Sequence, residues 1–150
     1  MKPVSEMTDE EFIEKLIRSR NSTINGFATD TGVKLTHLEV GHAIGEIELQ
    51  PRHGNPIGSI HGGALFTLLD SIGGAAATSR RRAVTTLSAN VNYLTAGRGS
   101  KKIIAEATEV KAGKSTCVYR VELRDENGTL LVTSVFTYFY LKGDITLLLD

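Results

Sequence analysis

The sequence is poor in the groups that several common chemistries require. It has one cysteine, Cys117, in 150 residues, which excludes an intramolecular disulfide and a cysteine-rich metal site. Cys117 falls in an alternating apolar run, so a buried, inert thiol is expected. Net charge is also absent, with 17 Lys and Arg against 17 Asp and Glu. General nucleic-acid binding rests on cations in excess facing phosphates, so the balance argues against it. It also leaves little repulsion to oppose self-association. No run approaches the roughly 18 apolar residues of a membrane span. The N-terminal "MKPVSEMTDEEF" lacks the basic segment and apolar run of a secretory signal. A soluble, cytoplasmic protein without membrane or nucleic-acid partners is expected. No repeat, low-complexity tract or linker interrupts residues 1–150, whose length suits one domain.

What is present is a change of period along the chain. "TDEEFIEKLIRSR" predicts a helix over about 8–20. Thr8 and Glu11 have capping-box spacing, and Phe12, Ile13, Leu16 and Ile17 form its apolar stripe. Asn25-Gly26 and Thr31-Gly32 mark turns. Residues 33–50 fit two strands joined near Gly41, and a loop carrying Pro51, Gly54, Asn55, Pro56 and Gly58 follows. A long helix is predicted from about His61 to Arg80. Beyond it the period becomes two. In "TTLSANVNYLT", Leu87, Ala89, Val91 and Tyr93 share one predicted face, and Thr86, Ser88, Asn90 and Asn92 the other. "KKIIAEATEVK", "STCVYRVELRD" and "TLLVTSVFTYFYLK" supply three more strands, the last two joined at Asn127-Gly128. The fold class is α+β: an antiparallel sheet wrapped around one long helix, plus an N-terminal helix.

The long helix carries two anomalies. Leu65, Leu68, Leu69, Ile72 and Ala76 form its natural sheet-facing stripe. A second stripe, Gly63, Phe66, Asp70, Gly73, Gly74 and Ala77, is mostly very small. Glycine inside a helix costs up to about 1 kcal/mol relative to alanine, so this stripe should also meet something solid. Asp70 would then be partly buried. Two readings stand for it: a structural acid held by a hydroxyl or amide, or a carboxylate tuned for chemistry. The second anomaly is His61-Gly62-Gly63 at the helix start. Unpaired N–H groups there, unshielded by side chains, suit developing negative charge on an oxygen; a turn that needs glycine is the plainer reading. From Gly62 to Asp70 the helix rises roughly 12 Å, too far for one carbonyl to touch both. If both serve one site, the acid comes from a second copy, and a two-fold dimer makes the exchange twice.

"NPIGSIHGGALFTLLDSIGGAAATS", "TTLSANVNYL" and "VKAGKST" together resemble the hot-dog-fold acyl-CoA thioesterases of the PaaI-like, phenylacetic acid degradation type, over about residues 33–141. The Asn-x5-His-Gly-Gly-x6-7-Asp arrangement is the specific part. The resemblance implies hydrolysis of an acyl- or aroyl-CoA thioester by a homotetramer, a dimer of dimers. It implies that Asp70 is general base or nucleophile, and that Gly62, with Gly63, polarises the carbonyl. Asn55 would position the thioester or water, His61 would support the loop, and Thr86 would hold the water or the acid. Lys111, Gly113 and Lys114, in a turn, and Arg98 would meet the phosphates of coenzyme A, although a solvated hairpin explains the turn equally. Coenzyme A is part of the substrate, so no cofactor and no metal are implied. Ala96 stands where relatives usually carry proline. Arg80, Arg81 and Arg82 suit the negative end of the helix dipole. His37, His42 and His53 have no ligand spacing and are expected at the surface. The tail "DITLLLD" has no counterpart, and either covers a subunit interface or is disordered. Two other functions compete: a non-catalytic acyl-CoA or lipid-binding module, and a hydratase or dehydratase. The latter needs a histidine beside the acid, and His61 lies about 180° around the helix from Asp70.

Overall fold

The computed structural model describes residues 2–22 and 26–149, so Asn25 of the expected Asn25-Gly26 turn lies outside the described residues. The first helix, α1 (Asp9–Arg20), starts on the predicted capping box: Glu11 N–H donates to Thr8 Oγ1 at 3.2 Å and Thr8 N–H to Glu11 Oε2 at 2.7 Å. Both bonds satisfy donors that the first helical turn leaves unpaired. A short helix, α2 (Phe27–Thr31), fills the stretch between the two expected turns, and the turn at Thr31-Gly32 ends it, with Gly32 at φ +98°. Strands β1 (Lys34–Glu39) and β2 (His42–Glu48) precede the long helix α3 (Gly62–Thr78). Strands β3 (Val84–Tyr93), β4 (Lys102–Ala112), β5 (Thr116–Asp125) and β6 (Leu130–Tyr140) follow it. The six form one antiparallel sheet in the order β1-β2-β4-β5-β6-β3. This is the hot-dog architecture, with the sheet curled around α3. No helix among the described residues is long and apolar enough to cross a membrane.

The core lies between α3 and the concave face of the sheet. The predicted stripe Leu65, Leu68, Leu69, Ile72 and Ala76 is buried, facing Ile103, Ala105 and Ala107 of β4 and Cys117, Tyr119, Val121 and Leu123 of β5. Burial pushes the Cys117 thiol up from its ordinary value, which keeps it unreactive at neutral pH. Close approach depends on residues without bulk. A Cβ on Gly45 of β2 would overlap the Ile72 side chain and stand 2.8 Å from the Lys34 carbonyl oxygen. A Cβ on Gly73 would collide with the Tyr138 hydroxyl and lie 3.1 Å from Val121 Cγ2. The second stripe therefore divides. Gly73, Gly74 and Ala77 are buried as expected, whereas Gly63 and Phe66 remain exposed, Phe66 leaning on the Phe136 ring.

The three arginines after α3 bind protein rather than only facing its dipole. Arg80 holds Glu109 through Nε at 2.6 Å and Nη2 at 2.8 Å, and Tyr119 donates to the same carboxylate at 3.0 Å. Arg81 adopts φ 61°, donates to the Val4 and Met7 carbonyls and pairs with Asp9 at 2.7 Å, tying α1 to the end of α3. Arg82 lies 3.8 Å over the Tyr140 ring. In the C-terminal tail, Asp144 caps a short 3-10 turn, Ile145–Leu148. Ile145 and Leu149 are buried within their own chain, and Val4 N–H donates to Thr146 Oγ1.

Two expectations follow. Gly45→Ala should destabilise the fold by about 1–3 kcal/mol through overpacking, read as a lower urea midpoint at unchanged slope. The Arg80 hydrogen bonds hold the Glu109 carboxyl below its ordinary value of 4.5. A depressed acid contributes stability that is present above that value and is lost as the pH falls through its lower, folded one. Glu109→Gln should therefore lower stability at pH 7 and flatten the decline in acid, measured by denaturation at a series of pH values.

Candidate active site

The start of α3 is held by a compact loop. Asn55 Oδ1 accepts the N–H groups of Ile57 at 3.2 Å and Ser59 at 3.0 Å, while its Nδ2 donates to Ser59 Oγ at 2.8 Å. These bonds form an Asx-type turn. His53, expected at the surface, is buried instead. Its Nδ1 accepts the Gln50 N–H at 3.0 Å and its Nε2 donates to the Thr31 carbonyl, pinning the loop to α2. His61 then caps α3: its Nδ1 accepts the Gly63 N–H at 2.8 Å. A neutral imidazole that accepts at Nδ1 carries its proton at Nε2. A Cβ on Gly63 would stand 2.9 Å from that Nδ1, so the cap needs glycine there. Gly63 thus commits its N–H to the imidazole. Among the described residues the Gly62 N–H has no partner, and the Gly62 carbonyl accepts from Tyr93 Oη at 3.3 Å.

Asp70 projects from the middle of α3, half-buried, into a cavity of about 250 Å³ lined by Arg20, Ser71, Thr85, Thr86 and Tyr138. Thr86 Oγ1 donates to its Oδ1 at 2.6 Å. Tyr138 Oη lies 3.2 Å from the Asp70 carbonyl oxygen and 3.5 Å from Oδ1. Burial, with the Asp70 charge adding to it, pushes the Tyr138 hydroxyl well above its ordinary value, so it remains a donor. Among the described residues Oδ2 has no partner. One carboxylate oxygen is fixed and the other is uncommitted, on a side chain that lines the cavity, which suits proton abstraction from water or direct attack on a carbonyl.

A β-bulge makes the Thr86 contact. Thr86 pairs with Tyr138, but Ser88 pairs with Thr137, so Leu87 is the inserted residue. Strict alternation sets Thr86 opposite Ala89, Val91 and Tyr93. The bulge corrects this, because Ala89 pairs with Phe136 and Thr86 joins the helix-facing side. Arg20, Tyr93 and Tyr138 belong to the site without having stood out in the sequence. Nothing local marked Arg20, which ends α1 and donates to Thr78 Oγ1 at 3.0 Å. Burial acts against the Arg20 charge, while Tyr138 and Asp70 favour it.

The expected phosphate-facing residues occupy opposite ends of α3. Arg98 lines a groove with Gly58, Ser59 and Ile60, beside the helix start. Gly113 and Lys114 lie in the β4–β5 turn at the far end, where Arg82 donates to the Lys114 carbonyl at 3.0 Å, while Lys111, expected in that turn, is the last residue but one of β4 and pairs with Val118. Gly113 N–H donates to the Thr116 carbonyl at 2.8 Å, and a Cβ there would stand 2.9 Å from that oxygen. The helix between these ends is 17 residues long, about 25 Å. A second cavity, of about 370 Å³, lies beside His61 between α2 and α3, lined by Phe27, Arg52, Ala64 and Thr67 among others.

Residues 57–132 match the sequence model of the thioesterase superfamily. The 1,4-dihydroxy-2-naphthoyl-CoA hydrolase of Listeria monocytogenes is 30% identical over 112 residues, covering 73% of this chain and 90% of its own. A point mutant of the phenylacetic acid degradation protein PaaI from Thermus thermophilus is 34% identical with a TM-score of 0.71, covering 77% of this chain and 98% of that one. A hypothetical thioesterase from Streptococcus pneumoniae, solved with coenzyme A, is 27% identical with a TM-score of 0.74, covering 82% of this chain and 98% of that one.

His61→Ala should lower stability by about 1 kcal/mol through the lost cap, and His61→Asn should recover most of it; denaturation midpoints of the two variants measure this.

Proposed function

The chain belongs to the thioesterase superfamily, as a PaaI-like hot-dog member, and from that membership we propose that it hydrolyses an acyl- or aroyl-CoA thioester to the free acid and coenzyme A. The observation that carries the reading is Asp70, which lines a cavity with Oδ1 held by Thr86 and Oδ2 unpartnered among the described residues, eight residues along the helix from a Gly62 N–H that is likewise unpartnered among them. The thioester carbonyl oxygen takes the Gly62 N–H, where the positive end of the helix dipole favours developing charge. Asp70 of the partner chain takes a proton from water, and the water oxygen bonds to the carbonyl carbon. The C–S bond then breaks, and the thiolate leaves and takes up a proton. Direct attack by Asp70, followed by hydrolysis of the anhydride, gives the same products. A thiolate is a good leaving group, so a carboxylate base suffices. Thr86 and Tyr138 hold the acid. Asn55, His61 and Gly63 build the loop that presents Gly62. Lys111, Gly113, Lys114 and Arg98 meet the phosphates of coenzyme A.

The two-chain site has independent support. Gly62 and Asp70 are about 12 Å apart on one rigid helix. Strand β3 is a sheet edge, paired with β6 on one side and with no strand among the described residues on the other, and Leu87, Tyr93, Leu94, Val135 and Phe139 on and around it are exposed. An apolar open edge of this length is a pairing surface for a second copy, and two such dimers make the tetramer that the resemblance implies. A binding module without turnover is the competing reading.

Thiol release from a panel of acyl- and aroyl-CoA substrates decides between them. Asp70→Asn should lower turnover about 100-fold or more; undiminished hydrolysis would remove Asp70 from the reaction, and binding without turnover by the unmutated protein would leave only the binding module. Gly62→Pro deletes the N–H at the first helical position, where proline is tolerated, after His61 with φ −62° and ψ 128°, which accepts a following proline. It should be similarly impaired. Co-expressed in equal amounts, the two variants should recover about a quarter of unmutated turnover, since half the dimers are mixed and each holds one intact site. No recovery would place the site within one chain.

A further inference from the structure

The outer face of the sheet carries a second cluster, remote in sequence from the helix that bears Asp70. The β1–β2 hairpin pairs Glu39 with His42 and His37 with Ile44, and this register brings three potential ligands to one corner. His37 Nε2 lies 3.6 Å from Glu39 Oε1, and His42 Nδ1 lies 3.0 Å from the same oxygen. One ligand atom from each of the three residues falls within 4.8 Å of the others. Ligands at about 2.0–2.1 Å from a tetrahedral ion stand about 3.3 Å apart, and the two measured separations bracket that value. Spacing along the chain had set these histidines aside as surface residues, since only the hairpin register makes them neighbours.

A second observation points the same way. The other ring nitrogen of His42, Nε2, is 3.0 Å from Glu106 Oε2 on β4. Metal-ligating histidines commonly hold a carboxylate on their far nitrogen, which fixes the tautomer and the ring. Here that arrangement has a further consequence. Ionised carboxylates only accept, and a neutral imidazole donates from one nitrogen. Both ring nitrogens of His42 thus face carboxylate oxygens at 3.0 Å, Nε2 on Glu106 and Nδ1 on Glu39. Among the described residues no lysine or arginine lies within 4.0 Å of either carboxylate. A second ring proton or a metal ion at Nδ1 each satisfies Glu39 in this geometry, and the metal ion alone also engages His37 Nε2, which lies 3.6 Å from the same Glu39 oxygen.

We propose that His37 Nε2, Glu39 and His42 Nδ1 form a binding site for a divalent transition metal of the zinc class, with Glu106 orienting His42 and water completing the shell. Two imidazoles and a carboxylate suit zinc, cobalt or nickel rather than the hard, oxygen-seeking magnesium or calcium. The partial exposure of His37 and Glu39 leaves a way in from solvent. An ion there would tie the β1–β2 hairpin to β4, far from the thioester chemistry, so the site stands or falls independently of that function.

Untagged protein titrated with Co²⁺ tests it, read by visible ligand-field absorption and by calorimetry, with Zn²⁺ as competitor. Expected are one Co²⁺ per chain, displaced by Zn²⁺ and not by Mg²⁺, and a higher melting temperature with metal. The double variant His37→Ala/His42→Ala should lose the spectrum. Glu106→Gln should keep the stoichiometry and lose about 10–100-fold in affinity. No Co²⁺ binding at 1:1 and millimolar metal (on the order of the weakest sites) would overturn the proposal, as would binding that survives the double variant. A His42 found protonated between its two carboxylates by NMR, with no response to metal, would also overturn it.

Discussion

The close seating of α3 on the sheet is the constraint on which the molecule depends. It requires absent side chains at named points. Gly45 leaves room for Ile72, Gly73 leaves room for the Tyr138 hydroxyl, and Ala105 and Ala107 keep the β4 surface low. Protein interiors pack at crystal-like density, so one methyl group at such a contact is felt. The result is a rigid rod whose position is set along most of its length. Everything on that rod is then spaced by helical rise alone. Gly62 and Asp70 cannot approach one another, and a shared site for them calls for two copies of the chain.

Helix seating explains where Asp70 is, but not how it is held. That depends on one inserted residue in β3. Without the Leu87 bulge, Thr86 would point away from the helix, and Oδ1 would lose its short hydrogen bond. The same device recurs in β4, where Val110 is the extra residue and Glu109 pairs with Tyr119 on the inner face. There it brings a carboxylate to Arg80 and Tyr119 at the end of α3. Two bulges thus aim two side chains inward, one at the site and one at the structural clamp that closes the helix.

The segments outside the central wrap are engaged with it. Arg81 reaches back to Val4, Met7 and Asp9, and packs over the Phe12 ring of α1. Ile145 and Leu149 are buried within the same chain, and Thr146 meets Val4. The N-terminal helix carries Arg20 into the cavity of Asp70. These contacts give the N-terminal region a place in the electrostatics of the site.

Local patterns in the sequence determined a great deal. The capping box at Thr8, the sheet-facing stripe of α3, the alternation of Cys117, Tyr119, Val121 and Leu123, and the Asn127-Gly128 turn are all short-range signals, and each appears where the pattern put it. The glycines after His61 and the acid at Asp70 were legible for the same reason: they contradict the helix they occupy. Tertiary structure alone decided the rest. A bulge resets alternation after one residue, so the face of Thr86 could not be counted out from the strand pattern. His53 is buried because α2 folds over its loop, and Thr146 of the tail accepts a hydrogen bond from Val4, 142 residues earlier in the chain. His37, Glu39, His42 and Glu106 meet through strand register across three strands. Periodicity reports which residues share an element's face; which elements then meet is set by long-range pairing, and that carries no local signature.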